Sequence, residues 1–351
     1  MVCQDFDDSI REPGFCGRLF LVSRCPMRYV AIDNHNLRYA GVLEIAGVSC
    51  SIRTNSLELA STLFSWGRER RKHDTVVFSM RVVVTQAKDD RATPPHFRGL
   101  DHIVIATFGG SNIFMFDLFR REISATVSAE TARTASFWAE TLFPIAIGVL
   151  GPAIGILPLH AACLEVGGNG MLIAGASGVG KSTLAVALAQ AGLNYVSDDW
   201  TYIGTDRHGL LAHGVGAAAK LLPDAIQHFP ELARFQLSVA LNGELAYMLS
   251  ASEAFPSGCV RSCVPQCFVF LERTTGSGCE ISPIPGEQTR WYVDSSVEPL
   301  PSELGAAALD RQEIIARVAC LPSWRLRYGG TPQFAAQELS RFFLQMEGME
   351  S

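Results

Sequence analysis

The stretch GASGVGKSTLAVALAQAGLNYVSDD, residues 175 to 199, decides the fold that the sequence predicts. It opens with the full pattern G-x-x-x-x-G-K-[ST], placed between a run typical of a strand and a run typical of a helix. Glycines allow the backbone to curl so that successive N–H groups point at phosphate oxygens, beside the positive end of the helix. The stretch therefore predicts a phosphate-binding loop and a nucleotide ligand.

The residues predicted to hold the nucleotide form this loop and the start of the following helix. In loops of this kind the lysine reaches the β- and γ-phosphates, and the hydroxyl after it ligates Mg²⁺. ATP and Mg²⁺ are therefore the predicted ligands. The expected contacts are Gly175, Ala176, Ser177, Gly178, Val179, Gly180, Lys181, Ser182 and Thr183.

Two adjacent aspartates close the stretch, 17 and 18 positions after Lys181. In many folds with such a loop, a strand that ends in aspartate supplies part of the metal site. Here that strand is the next one along the chain and the acid is doubled, so the two carboxylates can divide the work. One would assist the metal and the other would accept a proton. Trp200 follows the pair and would either shield it from water or belong to the core.

Helices and strands alternate from residue 128 to residue 351, which predicts an α/β domain. The uncharged run 142–159 has the length of a membrane span, but its three prolines favour a buried helix, a turn and a core strand. The other helices are expected at 182–191, within 286–319 and from Thr331-Pro332 onwards. The strands are expected at 157–166, 171–175, 194–199, 267–273 with 279–284 as its hairpin partner, and 324–328.

Residues 1–127 are expected to form a separate, β-rich α+β domain that precedes the α/β domain. Residues 56–70 predict its one helix, with Asn55 as N-cap and Glu58 completing a capping box. The polar segment 87–99 predicts a loop. Short runs rich in β-branched and aromatic residues predict strands at 29–33, 39–47, 48–54, 75–86, 102–108 and 112–118.

The composition limits the classes of function. A formal net charge of −6 gives no indication of a basic, nucleic-acid-binding surface. A composition of 48% hydrophobic and 18% charged residues is typical of a soluble globular protein. The 10 cysteines are scattered and follow no secretory signal, which favours reduced thiols in the cytoplasm. Cys259, Cys263 and Cys267 are evenly spaced, but Pro265 would interrupt a helix that aligned them. Buried or incidental thiols are therefore favoured over a metal site.

Around the loop, residues 157–204 resemble the HPr kinase/phosphorylases and their relatives. The specific part of the resemblance is a spacing, because His160 lies 21 residues before Lys181 and the aspartate pair follows at the distances given above. Members of that family carry a histidine, the loop lysine and an Asp-Asp pair at these intervals. The resemblance implies a P-loop kinase domain of the HPr-kinase type over residues 128–351.

The resemblance also implies roles for individual residues. His160, Lys181 and Asp199 would be the catalytic groups, with Asp199 as the general base that takes the proton of an acceptor serine. Asp198 would assist with the metal or with geometry, and Ser182 would share the metal with it. The three catalytic groups are expected to converge on one space that holds the γ-phosphate.

Departures from the family limit what the resemblance implies about the substrate. Ser182-Thr183 follows the loop lysine where bifunctional members have Ser-Glu, and the sequence holds no segment of the R-G-L-G-I type. Residues 1–127 do not resemble the family's N-terminal domain. The resemblance thus implies kinase chemistry on a serine of a protein or peptide, a precursor peptide of a natural-product cluster included. It implies neither HPr as substrate nor phosphorylase activity. A homo-oligomer is compatible with the resemblance.

Three functions remain open at this point. They are a kinase for a protein or peptide serine, a kinase for a small hydroxyl metabolite, and a non-catalytic or regulatory nucleotide-binding protein. A transporter-type ATPase is disfavoured, because no L-S-G-G-Q-like segment follows the loop. Lys220 and Arg261 are candidate phosphate or acceptor contacts, with solvated surface residues as the alternative.

Overall fold

The computed structural model describes residues 37–66, 75–91, 95–206, 209–215, 218–239, 244–250, 254–255, 258–297, 305–346 and 348. All of them belong to one compact unit, Asn34–Ser351. The strand predicted at 29–33 lies outside the described residues.

The described residues between 39 and 128 form a seven-stranded mixed sheet in the order β1-β2-β3-β7-β6-β5-β4. Strands β2, β3 and β7 are parallel neighbours, and the other pairs are antiparallel. Parallel strands need a crossover, which helix α1 (Leu57–Trp66) supplies between β2 and β3. The strands are β1 (Tyr39–Ile45), β2 (Val48–Thr54), β3 (Phe78–Thr85), β4 (His96–Leu100), β5 (Ile103–Thr107), β6 (Ile113–Asp117) and β7 (Glu122–Ser128).

The five strands predicted between residues 39 and 118 are confirmed, and two strands were missed. The loop predicted over 87–99 is wrong at its end, because β4 begins at His96 and pairs with β5. All five residues of β4 are exposed at the edge of the sheet. An exposed edge strand lacks the alternation of apolar and polar residues from which strands are predicted. Strand β7 does alternate, with Ile123, Ala125 and Val127 buried.

Helix α1 begins one residue later than predicted. Ser56 is its N-cap, because the Leu59 N–H donates to Ser56 Oγ at 3.2 Å. The capping box predicted for Asn55 and Glu58 is therefore wrong, and Glu58 forms an ion pair with Arg133 instead. Asn55 is used to fix β3: its Nδ2 donates to the Val84 carbonyl at 3.0 Å, and its Oδ1 accepts from the Val84 N–H at 2.8 Å.

A helical connection leads from the first sheet to the second. It consists of α2 (Ala129–Arg133), a π-helical stretch (Phe137–Leu142), α3 (Phe143–Leu150) and a 3₁₀ turn (Gly151–Ile154). The stretch Phe137–Ile154 is long and apolar enough to cross a membrane, but more than half of it is buried, as in a core helix of a soluble protein. Its apolar side chains join the core cluster of the first sheet. The predicted helix and turn are confirmed, but the strand predicted at 157–166 is divided at His160 into Leu157–Leu159 and Ala161–Val166, which pair with different strands. The domain boundary at 127/128 stays a prediction.

The second half of the chain is built on a nine-stranded sheet. Seven of its strands follow the order β11-β9-β10-β17-β13-β12-β8, and β19 pairs with both β17 and β18. The predicted hairpin of 279–284 with 267–273 is wrong, because β18 pairs with β19, which lies between them. The strands are β8 (Leu157–Leu159), β9 (Ala161–Val166), β10 (Asn169–Gly175), β11 (Asn194–Ser197), β12 (Thr201–Asp206), β13 (Gly209–His213), β17 (Ser262–Arg273), β18 (Cys279–Pro283) and β19 (Ser323–Tyr328).

Helices cover both faces of this second sheet. Successive residues of a strand point to opposite faces, so Ile173 of β10 contributes to one core cluster and Leu172 to the other. Helices α4 (Lys181–Gln190) and α7 (Pro332–Met346) pack on one face, together with a small sheet of β14 (Ala218–Leu221), β15 (Leu237–Val239) and β16 (Leu245–Ser250). Helices α5 (Gly286–Ser295) and α6 (Gly305–Ala319) pack on the other. The helices predicted for this half are confirmed.

Replacing Asn55 by alanine should lower the free energy of unfolding by about 1–3 kcal/mol. The substitution leaves both the N–H and the carbonyl of Val84 without the partner they have now, and unsatisfied backbone groups carry a cost of that order. Chemical denaturation measures the effect. Glu58→Gln is the control, since it removes only an exposed ion pair and should change stability by less than about 0.5 kcal/mol. Equal effects of the two substitutions would contradict the structural role of Asn55.

Candidate active site

Strand directions bring the predicted site residues to one side of the second sheet, the side at which β10 and β11 end. We call this side the edge of the second sheet. Strand β9 is antiparallel to both β10 and β11, and Ala161 is opposite Ala174 while Cys163 is opposite Ser197. The start of β9 therefore lies beside the ends of β10 and β11. His160 precedes β9, the loop follows β10, and the two aspartates follow β11. Crevices at the carboxyl ends of parallel strands are common ligand sites in open α/β sheets.

The glycine loop has the backbone conformation that its sequence requires. Gly178 has φ +74° and Gly180 has φ +101°, a region that side-chain-bearing residues rarely adopt. The loop joins β10 to α4, as predicted, and Gly180 is the residue before the first helical turn. The N–H groups of that turn have no partner within the helix, so the helix presents donors and a partial positive charge to this edge.

Lys181 is held over the loop that precedes it. Its Nζ donates to the carbonyls of Gly175 at 3.0 Å and Ala176 at 3.3 Å, and the residue is only 6% exposed. Burial lowers the pKa of the Lys181 ammonium, although the charge of Asp199 opposes the shift. The Lys181 side chain therefore contacts the same glycine loop that is predicted to hold the phosphates.

The side chains of Asp199 and His160 are in contact at this edge of the sheet. His160 Nε2 lies 3.2 Å from Asp199 Oδ1, and the two side chains are 33% and 51% exposed. The imidazole stacks on Trp200, with ring centroids 5.3 Å apart. Burial raises the pKa of the Asp199 carboxyl, but the His160 contact and the charges of His160, Lys220 and Lys181 together lower it. Asp199 is therefore held in its ionised form.

Asp198 has an opposite environment. It is buried, Oδ1 accepts from the Tyr195 hydroxyl at 2.7 Å, and Oδ2 accepts from the Lys220 N–H at 3.0 Å. Burial and the neighbouring charge of Asp199 raise the pKa of Asp198 to about 6, against the lowering effect of its hydrogen bonds. The predicted metal partner Ser182 donates its hydroxyl to the Asp198 main-chain carbonyl at 3.5 Å. The carboxylate of Asp198 thus ties β11 to β14, and its predicted metal role stays a prediction.

A cavity of about 720 Å³ collects most of these groups. The structure brings His160, Lys181 and Asp199 together on its wall, along with Ser182 and the loop from Ser177 to Thr183. Asp198 is not among the described lining residues, whereas Lys220 is; Lys220 Nζ also contacts Glu244 Oε2 at 3.0 Å. Arg261 is exposed and does not line the cavity in the described part of the chain.

Sequence reasoning missed several residues on the cavity wall, Arg273 and Tyr328 among them. These two end β17 and β19, which are parallel to β10 and so finish at the same edge. The predicted strand 267–273 already ended at Arg273. However, only the strand order shows that this residue lies next to the loop.

The evenly spaced cysteines do not converge. Cys259 is exposed, while Cys263 and Cys267 lie in different core clusters because the pairing of β17 with β10 shifts register between them. Cys263 instead lies with its Sγ 3.5 Å from Cys163 Sγ. Across the described residues, no group of three or more His, Cys, Asp or Glu side chains is arranged to hold a metal ion.

Comparison with known proteins identifies the part of the chain that forms this site. The family described as HPr Serine kinase C-terminal domain matches residues 156–227, which include His160, the loop and both aspartates. This segment is related to the HPr kinases. The resemblance predicted from the histidine, lysine and aspartate spacing is thereby confirmed.

Individual HPr kinase relatives match the same part of the chain. The HPr kinase/phosphorylase of Lachnoclostridium phytofermentans is 37% identical over 99 residues, which are 28% of this chain and 28% of the relative. That of a Geobacillus species is 39% identical over 74 residues, 21% of this chain and 22% of the relative. The chain thus matches only 22–28% of the length of these relatives. The Hpr(Ser) kinase/phosphatase from Coxiella burnetii overlaps 54% of this chain and 93% of its own, at 15% identity and a TM-score of 0.31, which is too low to establish a common fold.

The raised pKa of Asp198 predicts that its contribution to stability falls as the pH rises. From its ordinary value of 3.8 the pKa is raised to about 6, so the folded state favours the protonated carboxyl. The stabilisation is complete below about pH 4 and is lost as the pH passes through about 6. The free energy of unfolding of the wild type, minus that of Asp198→Asn, should therefore fall between pH 4 and pH 7 by on the order of 1–3 kcal/mol. A constant difference for Asp198→Asn would contradict the assignment.

Proposed function

We propose that this protein is an ATP-dependent phosphotransferase of the HPr-kinase-related type, which transfers the γ-phosphate to a serine hydroxyl of a protein or peptide. One observation carries the proposal: an ionised carboxylate, a histidine and a buried ammonium line the same cavity as a glycine-rich loop at a helix N-terminus. Phosphoryl transfer needs positioning and charge stabilisation more than covalent chemistry, and these groups supply both.

Each group has a task in the proposed transfer. Asp199 accepts the proton of the serine hydroxyl while the serine oxygen bonds to the γ-phosphorus. The bond from that phosphorus to the bridging oxygen breaks, and ADP leaves with the electron pair. A carboxylate of low pKa is a weak base. Asp199 therefore takes up the proton only when the new P–O bond has made the serine hydroxyl acidic. Lys181 stabilises charge on the phosphates, and His160 holds Asp199 in position.

The residues present fit ATP and Mg²⁺. The Ser182 hydroxyl is a hard oxygen ligand on the cavity wall, and Asp198, whose main-chain carbonyl accepts from it at 3.5 Å, would assist it with the metal. Magnesium is usually held by one or two carboxylates together with substrate phosphates, so a preformed cage of three acidic ligands is not needed. The ion would neutralise charge on the phosphates. The loop from Gly175 to Thr183 would hold the phosphates themselves.

The acceptor is proposed as a serine of a macromolecule because the kinase-like half carries a large additional sheet. A small hydroxyl metabolite needs no such surface. Precursor peptides of natural-product clusters belong to the proposed acceptor class, and we propose that the protein acts in the cytoplasm. The relatives named above are HPr kinase/phosphorylases. HPr is therefore one of the candidate acceptor proteins whose phosphorylation is compared.

Lys181→Ala should weaken Mg-ATP binding by at least about tenfold and abolish transfer. The substitution removes a cation that contacts the β- and γ-phosphates, and charge-assisted contacts contribute more than neutral ones. Calorimetry measures the binding. Lys88→Ala is the control, since Lys88 lies in an exposed loop of the first half. Unchanged ATP binding in Lys181→Ala would contradict the assignment of the loop.

Asp199→Asn should leave Mg-ATP binding within a few-fold and lower phosphate transfer by roughly 10²–10⁴, the range for a positioned proton acceptor. Transfer is measured with radiolabelled ATP against candidate proteins and peptides, with Asp294→Asn as the control. A similar loss of ATP affinity in Asp199→Asn and Lys181→Ala would favour a nucleotide-binding protein with a metal-holding carboxylate. Transfer to small hydroxyl compounds alone would favour a metabolite kinase.

A further inference from the structure

Arg273 is a charged residue of the cavity that the proposed transfer does not use. It ends β17, is exposed to the cavity, and places its guanidinium carbon 4.3 Å from the centre of the Tyr328 ring. One Nη2–H donates to the Gly330 carbonyl at 3.4 Å. Among the described residues no carboxylate lies within ion-pair distance of it, whereas the neighbouring Arg325 and Arg327 both pair with Glu272. Arg273 is thus an exposed cation that lies over the Tyr328 ring and has no carboxylate partner among the described residues.

Tyr328 ties this arginine to the phosphate loop. The residue is almost fully buried, and a Cβ added to Gly180 would meet the Tyr328 hydroxyl at 3.6 Å. Within the sheet, Gly175 at the end of β10 lies opposite Leu271, two residues before Arg273. The stacked pair therefore flanks the loop directly, on the side away from β9 and β11.

The strand order sets the direction in which a nucleotide lies. Asp199 follows β11 and Arg273 ends β17, three strands away in the order β11-β9-β10-β17. At roughly 4.8 Å per strand, about 14 Å separates the two ends of this edge. A triphosphate whose terminal phosphate faces Asp199 and whose middle lies on the loop extends towards Arg273 with its nucleoside.

We propose that Arg273, stacked on Tyr328, is the binding surface for the purine base of the nucleotide. A guanidinium plane with one face on an aromatic ring offers its other face to a second flat π-system. Stacking of this kind is tolerant of base identity, so the site would take ATP and GTP alike. The inference rests on the proposed function, because it takes the γ-phosphate to lie at the Asp199 end.

The test compares Mg-ATP with Mg-tripolyphosphate, which has the three phosphates and no nucleoside. Calorimetry on the full chain should show that Arg273→Ala weakens ATP binding by about tenfold or more, as expected for one lost base stack. Tripolyphosphate binding should stay within twofold. Lys181→Ala should weaken both ligands, and the exposed Arg341→Ala should weaken neither.

A second variant removes the guanidinium plane but keeps the positive charge. Its thermal melt shows whether the fold is intact. Arg273→Lys keeps the cation and should still lose most of the ATP affinity that Arg273→Ala loses, with a thermal melt like that of the wild type. Full ATP affinity in Arg273→Lys would overturn the stacking surface in favour of a charge contact. Equal loss of both ligands in Arg273→Ala would overturn it in favour of a phosphate contact.

Failure of this inference and failure of the proposed function give different results. If Lys181→Ala loses both ligands while Arg273→Ala retains ATP binding, the inference alone is overturned and the base lies elsewhere. If the wild type binds neither ligand, the proposed function is overturned and the inference with it.

Discussion

The whole site depends on the pairing of β9 between β10 and β11. Because β9 runs antiparallel to both neighbours, its first residue lies beside their last residues. That single constraint places a histidine, a glycine loop and two aspartates at one edge, although 39 positions separate the first from the last along the chain. The parallel strands β17 and β19 extend the same edge by Arg273 and Tyr328.

The two aspartates divide their work through burial. Asp198 is enclosed, with one hydrogen-bond donor on each oxygen, and its raised pKa marks a group whose charge is disfavoured. Asp199 is turned to the cavity, where cationic neighbours hold it ionised. The pair follows β11 directly, and only the first of the two side chains is enclosed. The inward residue accepts a hydrogen bond from the Lys220 main chain in β14, and the outward residue lines the cavity.

The relation to HPr kinases covers the segment in which this geometry is encoded, and little beyond it. The family match stops at residue 227, before Arg273 and the strands that carry it, and it starts after the first sheet. The packing of helix α3 on the first sheet shows that this sheet is firmly joined to the connection that leads into β8. The segment that matches relatives is thus combined with sheets that the matched segment does not contain.

The sequence by itself determined the loop, the helix after it, the aspartate pair and most strands, because these depend on local backbone chemistry and short periodicities. It misplaced the cap of α1, since Ser56 and Asn55 are equally suited as caps and only the pairing of Asn55 with Val84 decides between them. It paired β18 with the wrong strand and could not show Arg273 beside the loop. Only the tertiary structure decided those contacts, because strand order is set by packing between segments that are distant in the chain.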